Sequence, residues 1–248
     1  AIGTGTGSSS SNSGDNYSLS FDGEDDYVNI DYTSGQVSQG LSILAWVKVS
    51  SIDNEMVIFN GCCGTDSNWN WALKITNQSS DGDEVMKPQV VLKTNLQQYN
   101  GINPNQGLGI IELNGQWRHV AMSYNAELLT IYLDGQPVHT ETINGDQVLE
   151  SDDLIIGGWN DGGEDQSGSI SGGLDDIIVF NRGISELEIQ NIMNESVIEN
   201  ESQLVAHWNF NTGSGDILYD QSGNQNHGTV NGATWSTDVP EILVSATN

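Results

Sequence analysis

The sequence predicts an all-β chain, on three observations. Short apolar runs such as "VNIDY", "LSILAWVKV", "LTIYLDG" and "DDIIVFN" recur with the length of strands. Asx, Ser, Thr and Gly punctuate them at intervals suited to turns. Apolar residues almost nowhere repeat with the period of a helix. At 248 residues the chain is long enough for one large β domain or two small ones, so length leaves the domain count open.

The first strand is "YSLSFDG", followed by a turn at Gly23 to Asp26 and the strand "YVNID". "LSILAWVKV" alternates around Leu44, Trp46 and Val47 as a core strand does. "EMVIFNG" leads into a loop that holds Cys62 and Cys63, and "WALKIT" leads out of it. Residues 77–88 are polar and acidic, "QVVLKT" resumes the sheet, and residues 95–109, rich in Asn, Gln and Gly, form a second long loop. "NGQWRHVAMSYN" and "LLTIYLDGQPVHTETI" read as two strands and a hairpin, with Asp134-Gly135 as the tight turn. "DLIIGGW" is the next strand and "NDGGEDQSGSISGG" a third long loop; loops of this length carry function or move. After the strand "LDDIIVFN" comes the one helix, a short one near 184–194, with Ser185 as N-cap and Glu188 closing a capping box. Residues 1–16 are a Gly/Ser-rich tail or linker, 17–240 the domain, and 241–248 a second tail.

Charge narrows the partners. Thirty-four acidic residues against six basic ones give a net charge of -28. Nucleic acid is disfavoured, since phosphate binding rests on clustered Lys and Arg, and so is an anionic membrane surface. The same charge favours solubility, tolerance of salt, and capture of hard cations by carboxylate oxygens. No run of eighteen apolar residues exists, so no membrane insertion by a helix is expected. The small-residue start "AIGTGTGSSSSNSGDN" suggests a processed, exported chain or a linker, hence an extracellular setting.

"FDGEDDYVNI", "LSILAWVKV", "NGQWRHVAMSYN", "LTIYLDGQPV", "LIIGGW" and "GGLDDIIVFNRGISELEI" stand in an order that resembles the laminin-G-like, concanavalin-A-like jelly-roll modules of secreted proteins, with the pentraxins as more distant relatives. The resemblance covers roughly residues 17–193. It implies a two-sheet antiparallel β-sandwich, often with calcium, and a binding role towards carbohydrates or protein partners. "LVAHWNFNTGSGDILYDQSGNQNHGTVNGATW" is similar to a segment that commonly opens such a module, yet here residues 203–236 come last. One circularly permuted domain is the favoured explanation, because each motif occurs once and domain termini often lie close together. A second, truncated module and donation of this segment to a neighbouring molecule are the alternatives.

The resemblance implies that a structural calcium ties an early strand to a late one, which points to Asp22, Asp25 and Asp26 around the first turn and to Asp175 and Asp176 in "LDDI". Aspartates that cap their own turns are the competing explanation. "NDGGEDQSG", residues 160–168, is a candidate for a second ion, but it lacks the spacing and closing glutamate of an EF-hand, and a flexible acidic loop is the favoured reading. Trp46, Trp117, Trp208 and Trp235 are expected in the core. Trp69, Trp71 and Trp159 lie in or beside loops, where an indole can stack on a sugar while Asp66 and Asn70 bond hydroxyls. Alternation also puts Trp69, Trp71 and Leu73 on one face, which suits a core equally well.

Cys62 and Cys63 are adjacent, so they cannot staple distant segments. A vicinal disulfide would stiffen the loop and present a flat surface to a ligand; free thiols or an intermolecular bridge are the alternatives. Catalysis is not expected. The Glu-x-Asp-x-x-Glu arrangement of jelly-roll glycoside hydrolases is absent, His119 belongs to the family strand "WRHVA" and His207 to "HWNF", and His139 and His227 have no obvious nucleophile partner. The sequence therefore points to a calcium-stabilised module that binds carbohydrate or glycoprotein through loops at residues 61–71, 95–109 and 159–168. The alternative is a structural subunit of an extracellular filament or surface layer, a homo-oligomer built by strand donation or tail contacts.

Overall fold

The structure is a computed structural model that describes residues 16–38, 40–51, 55–62, 71–77, 86–94, 98–100, 115–158, 168–195, 198 and 203–241. The strands are β1 Ser18–Asp22, β2 Tyr27–Ser38, β3 Leu41–Val49, β4 Glu55–Cys62, β5 Trp71–Asn77, β6 Met86–Lys93, β7 Gln98–Asn100 and β8 Trp117–Tyr124. They continue as β9 Leu128–Leu133, β10 Gln136–Thr142, β11 Gln147–Ile156 and β12 Ser171–Phe180. After the helix α1, Glu186–Glu195, come β13 Leu204–Trp208, β14 Ile217–Leu218, β15 Gly228–Asn231 and β16 Thr234–Ser236.

Two antiparallel sheets form a sandwich. One runs β10-β9-β8-β3-β12-β1-β16, with β13 also on β12; the other runs β14-β15-β2-β11-β4-β5-β6-β7. Alternation along β3 sends Leu41, Ile43, Ala45, Val47 and Val49 into the space between the sheets, where they meet Val28, Ile30, Phe59, Trp71, Leu73, Leu154 and Trp208. The opposite face of the first sheet is covered over part of its length. Leu44, Ala121, Tyr132, Ile178 and Phe180 form a second cluster with Ile184 and Ile189 at α1.

Local chemistry sets the helix and the hairpin. Glu188 N donates to Ser185 Oγ at 3.3 Å and Ser185 N donates to Glu188 Oε2 at 2.8 Å, which is the expected capping box. Asp134 and Gly135 both have positive φ, 50° and 71°, as a tight turn between β9 and β10 requires.

The last segment completes its own chain. β13 pairs with β12, β15 with β2, and β16 with β1, so residues 204–236 contribute to both sheets. Trp208 is fully buried between them and its Nε1 donates to Asn226 O at 2.8 Å. β16 lies against β1, so the two ends of the described domain are adjacent.

Two tryptophans differ from expectation. Trp46 and Trp117 are half-buried on the outer face of the first sheet, not in the core. Trp46 lies edge-on to His119 with ring centroids 5.2 Å apart, and Trp117 lies across the sheet so closely that a Cβ at Gly173 would meet its Cη2 at 2.7 Å. Among the described residues, no helix is long and apolar enough to cross a membrane.

Candidate functional site

The turn between β1 and β2 gathers three carboxylates. Gly23 has φ 88°, which reverses the chain directly after Asp22. Asp22 Oδ1 accepts a hydrogen bond from Glu24 N at 2.8 Å, and Asp26 Oδ2 accepts one from Asp22 N at 2.8 Å, so the turn is closed at both ends by its own side chains. One oxygen from each of Asp22, Asp25 and Asp26 lies within 4.8 Å of the other two. Asp22 and Asp25 are exposed and Asp26 is buried. Burial first, then the charges of Asp22 and Asp25, hold the Asp26 carboxyl above the usual range against the bond from Asp22 N.

Neighbouring segments build a wall around the turn. Ser169 Oγ donates to Glu24 O at 2.9 Å, and a Cβ at Gly158 would meet Asp26 O at 3.0 Å. Gly232, at φ 79°, packs its backbone against Asp26 Oδ1 with no room for a side chain. The donor set consists of hard oxygens with two carboxylates open to solvent. It suits calcium, which takes six to eight oxygens from carboxylates and carbonyls. The sequence-level reading missed Gly232, Ser169 and Gly158; their one signal was the glycine content of "GGW", "SGS" and "NGA".

Asp175 and Asp176 do not join this group. The register of β1 on β12 places Asp22 opposite Ser171 and Leu19 opposite Leu174, so Asp175 lies at the far end of the pairing from the turn. The two aspartates instead make a β-bulge, with Asp176 at φ 50°, where the neighbour of β12 changes from β1 to β13. Asp176 Oδ1 and His207 Nε2 are 2.8 Å apart, a bond that fixes β13 at this change of partner. Burial, with the charge of Asp176 added, pushes the Asp175 carboxyl up to about 8. His119, also on the outer face, is held down to about 4 by burial, against the pull of Asp176 and Asp134.

β4 starts beside Gly168, whose carbonyl accepts from Val57 N at 2.9 Å, and finishes at Cys62 opposite Asp153. Of the expected ligand loops, residues 63–70, 95–97, 101–109 and 159–167 lie outside the described residues. Trp71 is a core residue, 2% exposed and 5.2 Å from the Phe59 ring, and is not a sugar platform. Cys63, Asp66, Trp69, Asn70 and Trp159 lie outside the described residues, and Cys62 is the last residue of β4.

A family model described as the concanavalin A-like lectin/glucanases superfamily matches residues 22–190. No curated protein matches the chain. Among solved structures, a Bacteroides ovatus protein to which carbohydrate binding is ascribed superposes with a TM-score of 0.67 at 18% identity, over 93% of this chain and 62% of its own. This chain thus spans less than two thirds of that protein. A heptameric SAP-like pentraxin from Limulus polyphemus superposes with a TM-score of 0.56 at 19% identity, over 72% of this chain and 82% of its own.

Proposed function

The chain belongs to the concanavalin A-like lectin/glucanases superfamily, and on that premise we propose that it is an extracellular, non-catalytic module that binds carbohydrate or glycoconjugate and is steadied by calcium at the acid turn. The observation that carries this reading is the convergence of Asp22, Asp25 and Asp26 oxygens within 4.8 Å of one another at one end of the sandwich. Three carboxylates that close repel each other unless a cation offsets them. Calcium bound there would tie the β1–β2 turn to the walls formed by Gly158, Ser169 and Gly232. The ascription of carbohydrate binding to the Bacteroides ovatus neighbour supports the ligand class.

Thermal unfolding with calcium and with chelator tests the reading. Calcium at one hundred times its dissociation constant adds about 2.7 kcal/mol, which for a domain of this size raises Tm by roughly 5–11 °C. Asp25→Asn, at an exposed position, should remove most of that rise. Equal Tm values with and without calcium would sink the metal, and an empty glycan screen would sink the ligand class. Assembly by strand donation would require β13–β16 to leave both sheets and Trp208 to leave the core, so it is the less favoured arrangement.

A further inference from the structure

Asparagine stands directly before glycine at Asn60-Gly61, Asn100-Gly101, Asn114-Gly115, Asn144-Gly145 and Asn231-Gly232. Such a pair is chemically labile, because glycine has no side chain to block the approach of its nitrogen to the asparagine carboxamide. The fold decides which pair reacts, and three of them lie wholly within the described residues. Asn60 is buried, its Nδ2 donates to Gly158 O at 3.0 Å, and Gly61 sits in β4 between β11 and β5. Asn231 Nδ2 donates to Thr229 O at 3.0 Å, and Gly232 behind it packs against Asp26 Oδ1. In both pairs the carboxamide and the glycine are pinned, where ring closure needs them to turn towards each other.

Asn144-Gly145 is held differently. Asn144 is exposed and Gly145 half-buried, in the link of residues 143–146 that carries the chain from β10 in the first sheet to β11 in the second. Among the described residues, neither the Asn144 carboxamide nor the Gly145 nitrogen has a hydrogen-bond partner. The anchors are the two carbonyls. Asn144 O accepts from Thr94 Oγ1 at 2.8 Å, and Gly145 O accepts from the Tyr124 hydroxyl. Burial, with the charge of Asp146 added, pushes that hydroxyl up to about 12, so it remains a donor in mildly alkaline solution. Nucleophile and electrophile are therefore adjacent, unengaged and open to water.

We propose that Asn144 is a site of spontaneous deamidation, which loosens the crossing between the two sheets. Gly145 N gives up its proton to solvent and bonds to Asn144 Cγ. The carboxamide C–N bond breaks, its nitrogen takes up a proton and leaves as ammonia, and a succinimide ring remains. Water then opens the ring at either carbonyl, giving aspartate or isoaspartate, with no oxidant or cofactor required. In the isoaspartate the main chain runs through Cγ, so the link is longer by a methylene and the former backbone carbonyl becomes a carboxylate beside Asp146. The longer link draws Gly145 O away from the Tyr124 hydroxyl. β10 is the end strand of the first sheet and pairs with β9, so this link is its other tether.

The full chain is aged in warm, mildly alkaline buffer, with peptide mass mapping to read the change from amide to acid and enzymatic methylation to count isoaspartate. Asn144 should convert about tenfold faster than Asn60 or Asn231, each of which must first break a hydrogen bond. Aged protein should show faster amide hydrogen exchange in β10 and a Tm lower by roughly 2–4 °C, the loss of the Tyr124 bond. Asn144→Gln, whose larger ring closes slowly, should age without either change. Freshly made Asn144→Asp carries the charge on an ordinary backbone and should match the fresh parent, which assigns the loosening to isoaspartate. Conversion at Asn60 or Asn231 as fast as at Asn144 would overturn the site. Isoaspartate at residue 144 with parental exchange in β10 would overturn the loosening.

Discussion

Gly232→Ala probes the joint between the last segment and the acid turn. The substitution carries two costs. Gly232 has φ 79°, where an L side chain is disfavoured by about 1–2 kcal/mol. The new Cβ also collides with Asp26 Oδ1, so the carboxylate must swing away and release its bond from Asp22 N. A hydrogen bond to a charged group contributes about 1.5–3 kcal/mol. Together the loss is about 2.5–5 kcal/mol, which lowers Tm by roughly 5–20 °C. Denaturant titration gives the free energy directly, and repeating it in an Asp26→Ala background isolates the backbone share, about 1–2 kcal/mol. The calcium response of the single variant should fall as well, because Asp26 has moved. A Gly232→Ala protein with parental stability and parental calcium response would refute the placement of β15 and β16 against the turn.

Two buried titrating groups bend the pH profile in opposite senses. His119 falls from 6.5 to about 4 on folding, so the stability it contributes is full above pH 6.5 and drains away as pH falls towards 4, a loss of about 3 kcal/mol. Asp175 rises from 3.8 to about 8, so its contribution is present below pH 3.8 and is lost as pH climbs through 8. The two slopes oppose each other between pH 4 and 6.5, so urea denaturation should show near-level stability there and a fall from pH 6.5 to 8 that belongs to Asp175 alone; Asp175→Asn should remove that fall, and a variant that keeps it clears Asp175 of responsibility. Ser185→Ala breaks the capping box of α1 and should cost about 1 kcal/mol, read as a Tm lower by roughly 2–4 °C. An unchanged Tm there would show that the packing of α1 through Ile189 and its bond from Gln190 to Gly135 O hold it without the capping box.

What the sequence made legible was local. The capping box at Ser185 and Glu188, the Asp134-Gly135 turn and the acid turn at residues 22–26 each act within a few residues, so their chemistry can be read along the chain. Trp46 shows where that reading fails. Its neighbours Ala45 and Val47 face the core, yet Leu44 is also buried, beneath α1, and a strand covered on both faces hides its alternation. Asp175 and Asp176 look like paired ligands in one dimension, but the bulge uses them to change the neighbour of β12. Glycine at position 232 is visible in the sequence, but its contact with Asp26 depends on β15 lying on β2 and β16 on β1, and register is a non-local property.

The adjacency of β1 and β16 also sets how the domain would respond to tension. Ser18 faces Ser236 in an antiparallel pair, and Ser18 Oγ donates to Asp238 O at 2.7 Å, so the chain enters and leaves the fold at one point. A load pulling residues 16 and 241 apart would open that pair one hydrogen bond at a time, like a zip, where strands loaded from opposite ends would resist by shear along their whole length. The clasp that must break first is small: Asp238 accepts from Lys48 Nζ and from Trp117 Nε1 on the outer face. A domain hung this way would yield at low force from its final strand inward, and Trp117, freed from Asp238, would report the first step by its fluorescence.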